Sequence, residues 1–445
     1  MTAKTFPGGI HPDYGKGPTA GKPVVRAAPP KTVVIPLHQH TGAPCEALVK
    51  AGDEVKMGQK IGDTGAFVSA PVHASVSGKV LAVEPRPHPA FGVSLAVVIE
   101  SDGQDQLDPE IRPAGSLDTL DAAALRKVIR EAGIVGMGGA AFPTAVKVAP
   151  PPNKKIDTVA LNGAECEPYL TADHRVMLEQ ADDVVFGLRA LMKACGAGQG
   201  LIAIEDNKPD AIEVIHKALG GAPDLQIIHL HTKYPQGSEK HLLKACLNRE
   251  VPSGGLPLDV GVVVNNVATA AAVARAVRNG TPLYERVLTV TGGAVANPQN
   301  MLVRVGTSFG DLIEQCGGFA KPAGKVINGG PMMGIAQSSL DVPVTKGTSG
   351  ILCLARGEVA RDEAEACLKC GRCIDACPMY LMPLWISAYA ERGKHEEAER
   401  LNALDCIECG CCSYVCPARR PLVQAIRLAK GEITARRRRQ AQPAK

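Results

Sequence analysis

The chain has 445 residues, 45% of them hydrophobic and 21% charged, with a formal net charge of +4. That balance fits a soluble globular protein of roughly three domains and points away from a charge-driven nucleic-acid binder. No run of 18 apolar residues occurs, and "MTAKTFPGGIHPDYGKG" lacks the apolar stretch of a secretory signal, so neither a bilayer span nor export is expected.

Aromatic residues make up only 3%, so the cores must be built from Val, Ile, Leu and Ala. Residues 1–30 hold nine glycines and prolines before "APP" and read as an extended N-terminal arm. From 31 to 110 the pattern is short β segments: "KTVVIPL", "EALVKAGDEVKMGQKIGD", "SAPVHASVSGKVLAVE" and "SLAVVIES". Glycine turns between alternating faces predict hairpins. This region resembles the lipoyl/biotinyl barrel-sandwich hybrid. The carriers of that family place a modified lysine where this chain has "DTGAFVSAP", without a lysine. The resemblance therefore implies the fold and not the swinging arm.

Residues 115–285 alternate helical and β patterns. "LDTLDAAALRKVIREAG" predicts an amphipathic helix ending at Gly133, and the apolar runs "DTVALN", "GLIAIED", "LQIIHLH" and "VGVVVNN" predict strands. Such alternation implies an α/β sheet covered on both faces. Within it, "GIVGMGGAAFPTAVK" (133–147) packs four glycines into seven positions. It is neither a P-loop nor a G-x-G-x-x-G fingerprint, and alone it reads equally as a tight turn. Residues 286–345 return to β with glycine turns, 361–430 are helical and cysteine-rich, and 431–445, with "ARRRRQAQPAK", read as a disordered basic tail.

Nine of the fifteen cysteines fall between 367 and 416. "CLKCGRCIDACP" and "CIECGCCSYVCP" each spell C-x2-C-x2-C-x3-C-P. Three closely spaced thiolates wrap one cubane while the fourth reaches the other. One [4Fe–4S] cluster would take Cys367, Cys370, Cys373 and Cys416, and the second Cys406, Cys409, Cys412 and Cys377. Cys411 is surplus. A pair of zinc sites is the competing reading, although four-cysteine zinc sites use separated C-x2-C pairs without a third cysteine at the same interval. The helical pattern between the motifs points to an α-helical ferredoxin. The remaining cysteines, Cys45, Cys166, Cys195, Cys246, Cys316 and Cys353, read as packing residues.

The glycine stretch resembles the flavin loop of the NADH-binding flavoprotein subunit of respiratory complex I, whose pattern is a glycine run followed by "GFPT" and a lysine. "NGAECEP" (162–168), "VNNVAT" (264–269) and "LTVTGGAVANPQN…VGTSFGDLIEQCG" resemble further segments in the same order, the last belonging to a β-grasp soluble-ligand-binding (SLBB) module. The order of modules resembles the C-subunit family of Rnf (Rsx) electron-transport complexes. The resemblance implies non-covalent FMN with NADH/NAD+ as the two-electron partner. It further implies cofactor contacts from Gly136, Gly138, Gly139, Phe142, Lys147, Asn162, Glu165, Glu167, Asn265, Asn266 and Thr269, with weaker candidates in Tyr234, Gly237 and Glu239. Ala164 stands where that family carries an acidic residue. No catalytic acid–base dyad or nucleophile is called for, because the cofactor performs the hydride transfer. The resemblance implies a peripheral subunit on the cytoplasmic face of the bacterial inner membrane, docked on integral membrane and ferredoxin-type subunits, with electron flow coupled to ion transport. A relay scaffold with a non-functional flavin site and a soluble cobalamin reductase are the rival readings.

Overall fold

The computed structural model describes residues 2–359 and 363–441. Residues 31–110 form two facing sheets. One orders its strands Thr32–Pro36, Gly92–Ser101, Gly78–His88 and Glu54–Val55. The other orders them Glu46–Ala47, Lys60–Asp63 and Val72–His73. Alternation along these strands sends Val33, Ile35, Ile61, Val97 and Ile99 into a shared core. This is the barrel-sandwich fold that the resemblance implied.

The next domain carries a four-stranded, all-parallel sheet. Its strands are β1 (Thr158–Gly163), β2 (Gln199–Glu205), β3 (Leu225–Leu230) and β4 (Val262–Asn266), in the spatial order β3-β2-β1-β4. Both faces are covered: Val159, Leu161 and Val263 enter one core, Ala160, Val262 and Val264 another. Strands buried on both faces read as continuous apolar runs, which is why they were visible in the sequence. The chain moves outward from β1 to β3 and then returns to the other side of β1 as β4. The strand order therefore reverses between β1 and β4, and the carboxyl ends of those two strands flank a crevice.

A six-stranded sheet follows, ordered Val24–Arg26, Gln299–Arg304, Glu285–Thr291, Gly350–Ala355, Ala323–Asn328 and Ile335–Gln337. It reaches beyond the expected 286–345: an edge strand comes from the N-terminal arm and an inner one from 350–355. Three arm residues of low burial leave no periodicity to read.

The cysteine-rich region is helical, as expected. Its two motifs repeat one backbone design at an interval of 39 residues. Lys369 and Glu408, Gly371 and Gly410, and Tyr380 and Arg419 all take positive φ. The basic terminal run is not a disordered tail. Leu422–Ala441 is one helix, in which Arg436 pairs with Glu396 and Glu399, and Arg437 with Glu399. Charge repulsion along the run is offset by carboxylates from helix His395–Arg400 that lie distant in sequence. Residues 442–445 of the expected tail lie outside the described residues.

Candidate functional site

The predicted flavin residues gather at the β1/β4 crevice. Asn162 and Asn266 are direct neighbours across the two strands, as are Leu161 and Asn265. Thr269, on the helix Val267–Asn279 that follows β4, accepts from the Met137 N–H at 3.0 Å and so pins the glycine stretch to that helix. A Cβ on Gly138 would stand 2.7 Å from Asn266 Nδ2, so only glycine fits there, whereas a Cβ on Gly139 would meet nothing within 4 Å. Gly136 donates to the Phe142 carbonyl, closing the turn, and Phe142 is half-buried.

Several predicted contact residues already have work in the fold. Asn266 caps helix Val267–Asn279 by accepting from Ala268 N–H, and its amide donates to Asp173 at 2.6 Å. Glu165 accepts the Asp173 and His174 N–H groups and caps helix Ala172–Glu179. Asn162 donates to the Gly237 carbonyl. Lys147 donates to the Val264 carbonyl at 2.8 Å and pairs with Glu239 at 2.5 Å. Glu167 turns toward the β-grasp domain and accepts from Met332 and Met333 N–H, while burial pushes its carboxyl up.

Asn265 is different. It is 3% exposed, and neither amide atom has a hydrogen-bond partner. Gln236, fully buried in the loop after β3, likewise leaves both amide atoms unpartnered, as Thr144 does its hydroxyl. A buried polar atom without a partner costs about 1–3 kcal/mol. Asn265 stands at the end of β4 and Thr144 at the start of helix Thr144–Lys147, whose Lys147 reaches the Val264 carbonyl, with open space at Gly139. That donor and acceptor set, beside bare backbone, fits a polar, partly planar ligand such as FMN.

The stretch is held from beneath by two buried cations that no sequence pattern disclosed. Lys346 donates to the Gly133 and Pro71 carbonyls, each at 2.6 Å, and burial lowers its ammonium to about 7. Arg286, 1% exposed, donates to the Lys346 carbonyl at 2.6 Å and lies against the Met137 carbonyl. Thr41, from the barrel-sandwich domain, donates to the Ala140 carbonyl at 2.6 Å. Asp173 lies beside Asn266 and Glu165, and burial together with the Glu165 charge raises its pKa.

The eight predicted cluster cysteines separate into two pockets in the crossed arrangement. One is lined by Cys377, Cys406, Cys409 and Cys412, the other by Cys367, Cys370, Cys373 and Cys416. Among the described residues no three His, Cys, Asp or Glu are spaced to hold a single metal ion. Cys411, fully buried and surplus to the four-cysteine pattern, lines the first pocket as well. Matching backbone N–H groups, Lys369 to Cys367 and Glu408 to Cys406, lie 3.3 Å from sulfur.

The first pocket adjoins the flavin domain. Tyr234, 1% exposed, donates its hydroxyl to the Cys409 carbonyl at 2.8 Å. Cys166 is a packing residue, as read, and its place is the seam: it packs against the cluster of Tyr234, Cys409 and Cys411 and accepts from Gly237 N–H. His241, from the flavin domain, contacts the Pro378 carbonyl at 2.9 Å.

A parallel sheet with an open switch point, joined through a packed seam to paired four-cysteine pockets, defines an iron–sulfur flavoprotein. Comparison with known families agrees, module by module. Residues 4–104 match the RnfC barrel sandwich hybrid domain and 129–275 the Nuo51 FMN-binding domain. Residues 287–336 match the SLBB domain and 360–417 the 4Fe-4S dicluster domain. The chain is 55% identical to the C subunit of the Na(+)-translocating ferredoxin:NAD(+) oxidoreductase complex of Acetobacterium woodii, covering 98% of each chain. It is 52% identical to the proton-translocating counterpart of Clostridium ljungdahlii, over 96% of this chain and 94% of that one. It is 41% identical to the C subunit of the ion-translocating oxidoreductase complex of Rhodobacter capsulatus, over 98% and 84%. The chain belongs to the C-subunit family of Rnf-type ion-translocating oxidoreductase complexes, with FMN and two [4Fe–4S] clusters as its cofactors. Among solved structures, an NAD+-reducing [NiFe]-hydrogenase in the H2-reduced state gives a TM-score of 0.47 at 18% identity, over 73% of this chain and 67% of that one.

Proposed function

We propose that this chain exchanges electrons with NADH/NAD+ at the β1/β4 crevice and passes them through two clusters to other subunits of a membrane-bound complex. FMN, when bound, supplies the conversion between hydride and single electrons. Asn265 and Thr144 would hydrogen-bond it and Gly138 and Gly139 would let it approach the backbone. Lys147 would lie at its anionic edge. Cys377, Cys406, Cys409 and Cys412 would hold the cluster nearer the flavin, Cys367, Cys370, Cys373 and Cys416 the outer one. The observation that carries the reading is Asn265: a buried amide with no partner, at the point where parallel α/β sheets bind ligands.

No helix among the described residues is long and apolar enough to cross a membrane. We place the protein peripherally, on the cytoplasmic face, docked on integral membrane and ferredoxin-type subunits. The test is anaerobic reconstitution with iron, sulfide and FMN, followed by NADH-driven dye reduction. Clusters without FMN binding or NADH oxidation would favour a relay scaffold. Cobalamin reduction by the chain alone would favour a soluble reductase.

A further inference from the structure

The N-terminal arm has no role in the reading so far, yet one of its side chains reaches the loop that follows β1. Lys16 Nζ donates to the carbonyls of Glu165 at 2.8 Å, Glu167 at 3.0 Å and Leu170. From the segment after β2, buried Lys208 donates to the Ala164 carbonyl of the same loop at 2.7 Å. Two ammonium groups thus collect four carbonyl oxygens of the segment 164–170.

The segment needs holding. Glu165 and Tyr169 both take left-handed φ, at +46° and +68°. Each such non-glycine conformation is costly and persists only where the surroundings over-determine it. The arm supplies more than Lys16: the Tyr169 N–H donates to the Tyr14 carbonyl at 2.7 Å. Gly15, at φ +55°, lies so close that a Cβ would stand 2.8 Å from the Tyr169 ring. Three consecutive arm residues therefore grip the loop that leaves the carboxyl end of β1 at the crevice, whose Glu165 caps the helix carrying Asp173, the partner of Asn266.

Resting on the flavin reading above, we infer that Lys16 is a positioning residue: it fixes the 164–170 loop in the shape that receives the nicotinamide nucleotide. The loop's own hydrogen bonds do not suffice, because its carbonyls converge on a side chain instead of forming turn bonds. Nothing in the "TFPGGIHPDYGKG" stretch marks this lysine by sequence alone, since its partners lie about 150 positions away.

The test uses the full chain reconstituted with both clusters and FMN. In Lys16→Met the KM for NADH should rise about tenfold or more, the size expected for losing charge-assisted hydrogen bonds. The kcat at saturating NADH should stay within about threefold, iron content should be unchanged, and Lys16→Arg should recover most of the loss. In the apo chain, the Tyr169 amide should exchange with deuterium about tenfold faster in Lys16→Met. An unchanged KM, or a kcat and iron content that fall together with no separate change in KM, overturns the inference. If Lys16→Met does not fold, Gly15→Ala carries the test, because it pushes the arm off Tyr169 and should raise KM in the same way; an unchanged KM there also overturns it. A wild-type chain that binds no FMN would sink the flavin reading instead, and amide exchange at Tyr169 would still decide whether Lys16 holds the loop.

Discussion

Asn265 keeps two amide atoms buried and unpartnered, so it destabilises the apo fold while waiting for a ligand. Replacing it with leucine should leave apo stability equal or higher and weaken FMN binding about tenfold or more, read by flavin fluorescence titration beside thermal unfolding. A parallel loss of both would make it an ordinary core residue. Tyr234 poses a different question, because its hydroxyl meets the backbone of a cluster loop. Tyr234→Phe should alter the EPR signature and potential of the inner cluster and leave the outer one unchanged, since hydrogen bonding near the sulfurs tunes these centres. Asn265 could be found in the sequence through "VNNVAT"; Gln236 and Arg286 could not. A lone glutamine or arginine carries no spacing signal, and its importance comes from groups brought to it by the fold.

The cysteine motifs are elements whose pairing the geometry makes testable. Cys377→Ser and Cys409→Ser should damage one cluster, Cys416→Ser and Cys370→Ser the other, and Cys411→Ala should leave about eight iron atoms per chain. EPR and iron analysis separate these outcomes, and a Cys377→Ser chain that loses the cluster of its own motif would refute the crossed assignment. The hairpin of the barrel-sandwich domain makes a pH prediction. His88 accepts two backbone N–H groups at Nδ1, and burial lowers it to about 4. The folded value lies below the unfolded value of about 6.5, so protonation favours unfolding. The stabilisation is complete above about pH 6.5 and is lost progressively toward pH 4. Amide exchange in residues 78–101, corrected for intrinsic rates, should accelerate over that window and not above it. The strands and the ferredoxin helices were legible because apolar runs and cysteine intervals are local. The helical ending of the chain was not, because its arginines are paired by carboxylates some forty residues away.

Across the whole molecule, the arm, the glycine stretch and the seam tie the domains together. Phe6 packs on His241, Ile10 exchanges backbone hydrogen bonds with Tyr234, and Lys346 joins the β-grasp domain to both the flavin loop and the barrel-sandwich domain. Lys346→Met should therefore weaken FMN binding without touching the clusters, checked by flavin titration and iron content on one sample. The cysteine intervals by themselves pointed to two iron–sulfur clusters, since thiolate spacings of a few residues are constrained directly by the metal chemistry, whereas FMN and the order of the domains were legible through resemblance to known families. The tertiary structure alone decided which strand ends meet, which buried amides go unpartnered and which cluster pocket faces the flavin domain. Those depend on contacts between residues tens to hundreds of positions apart, and a one-dimensional pattern does not record such distances.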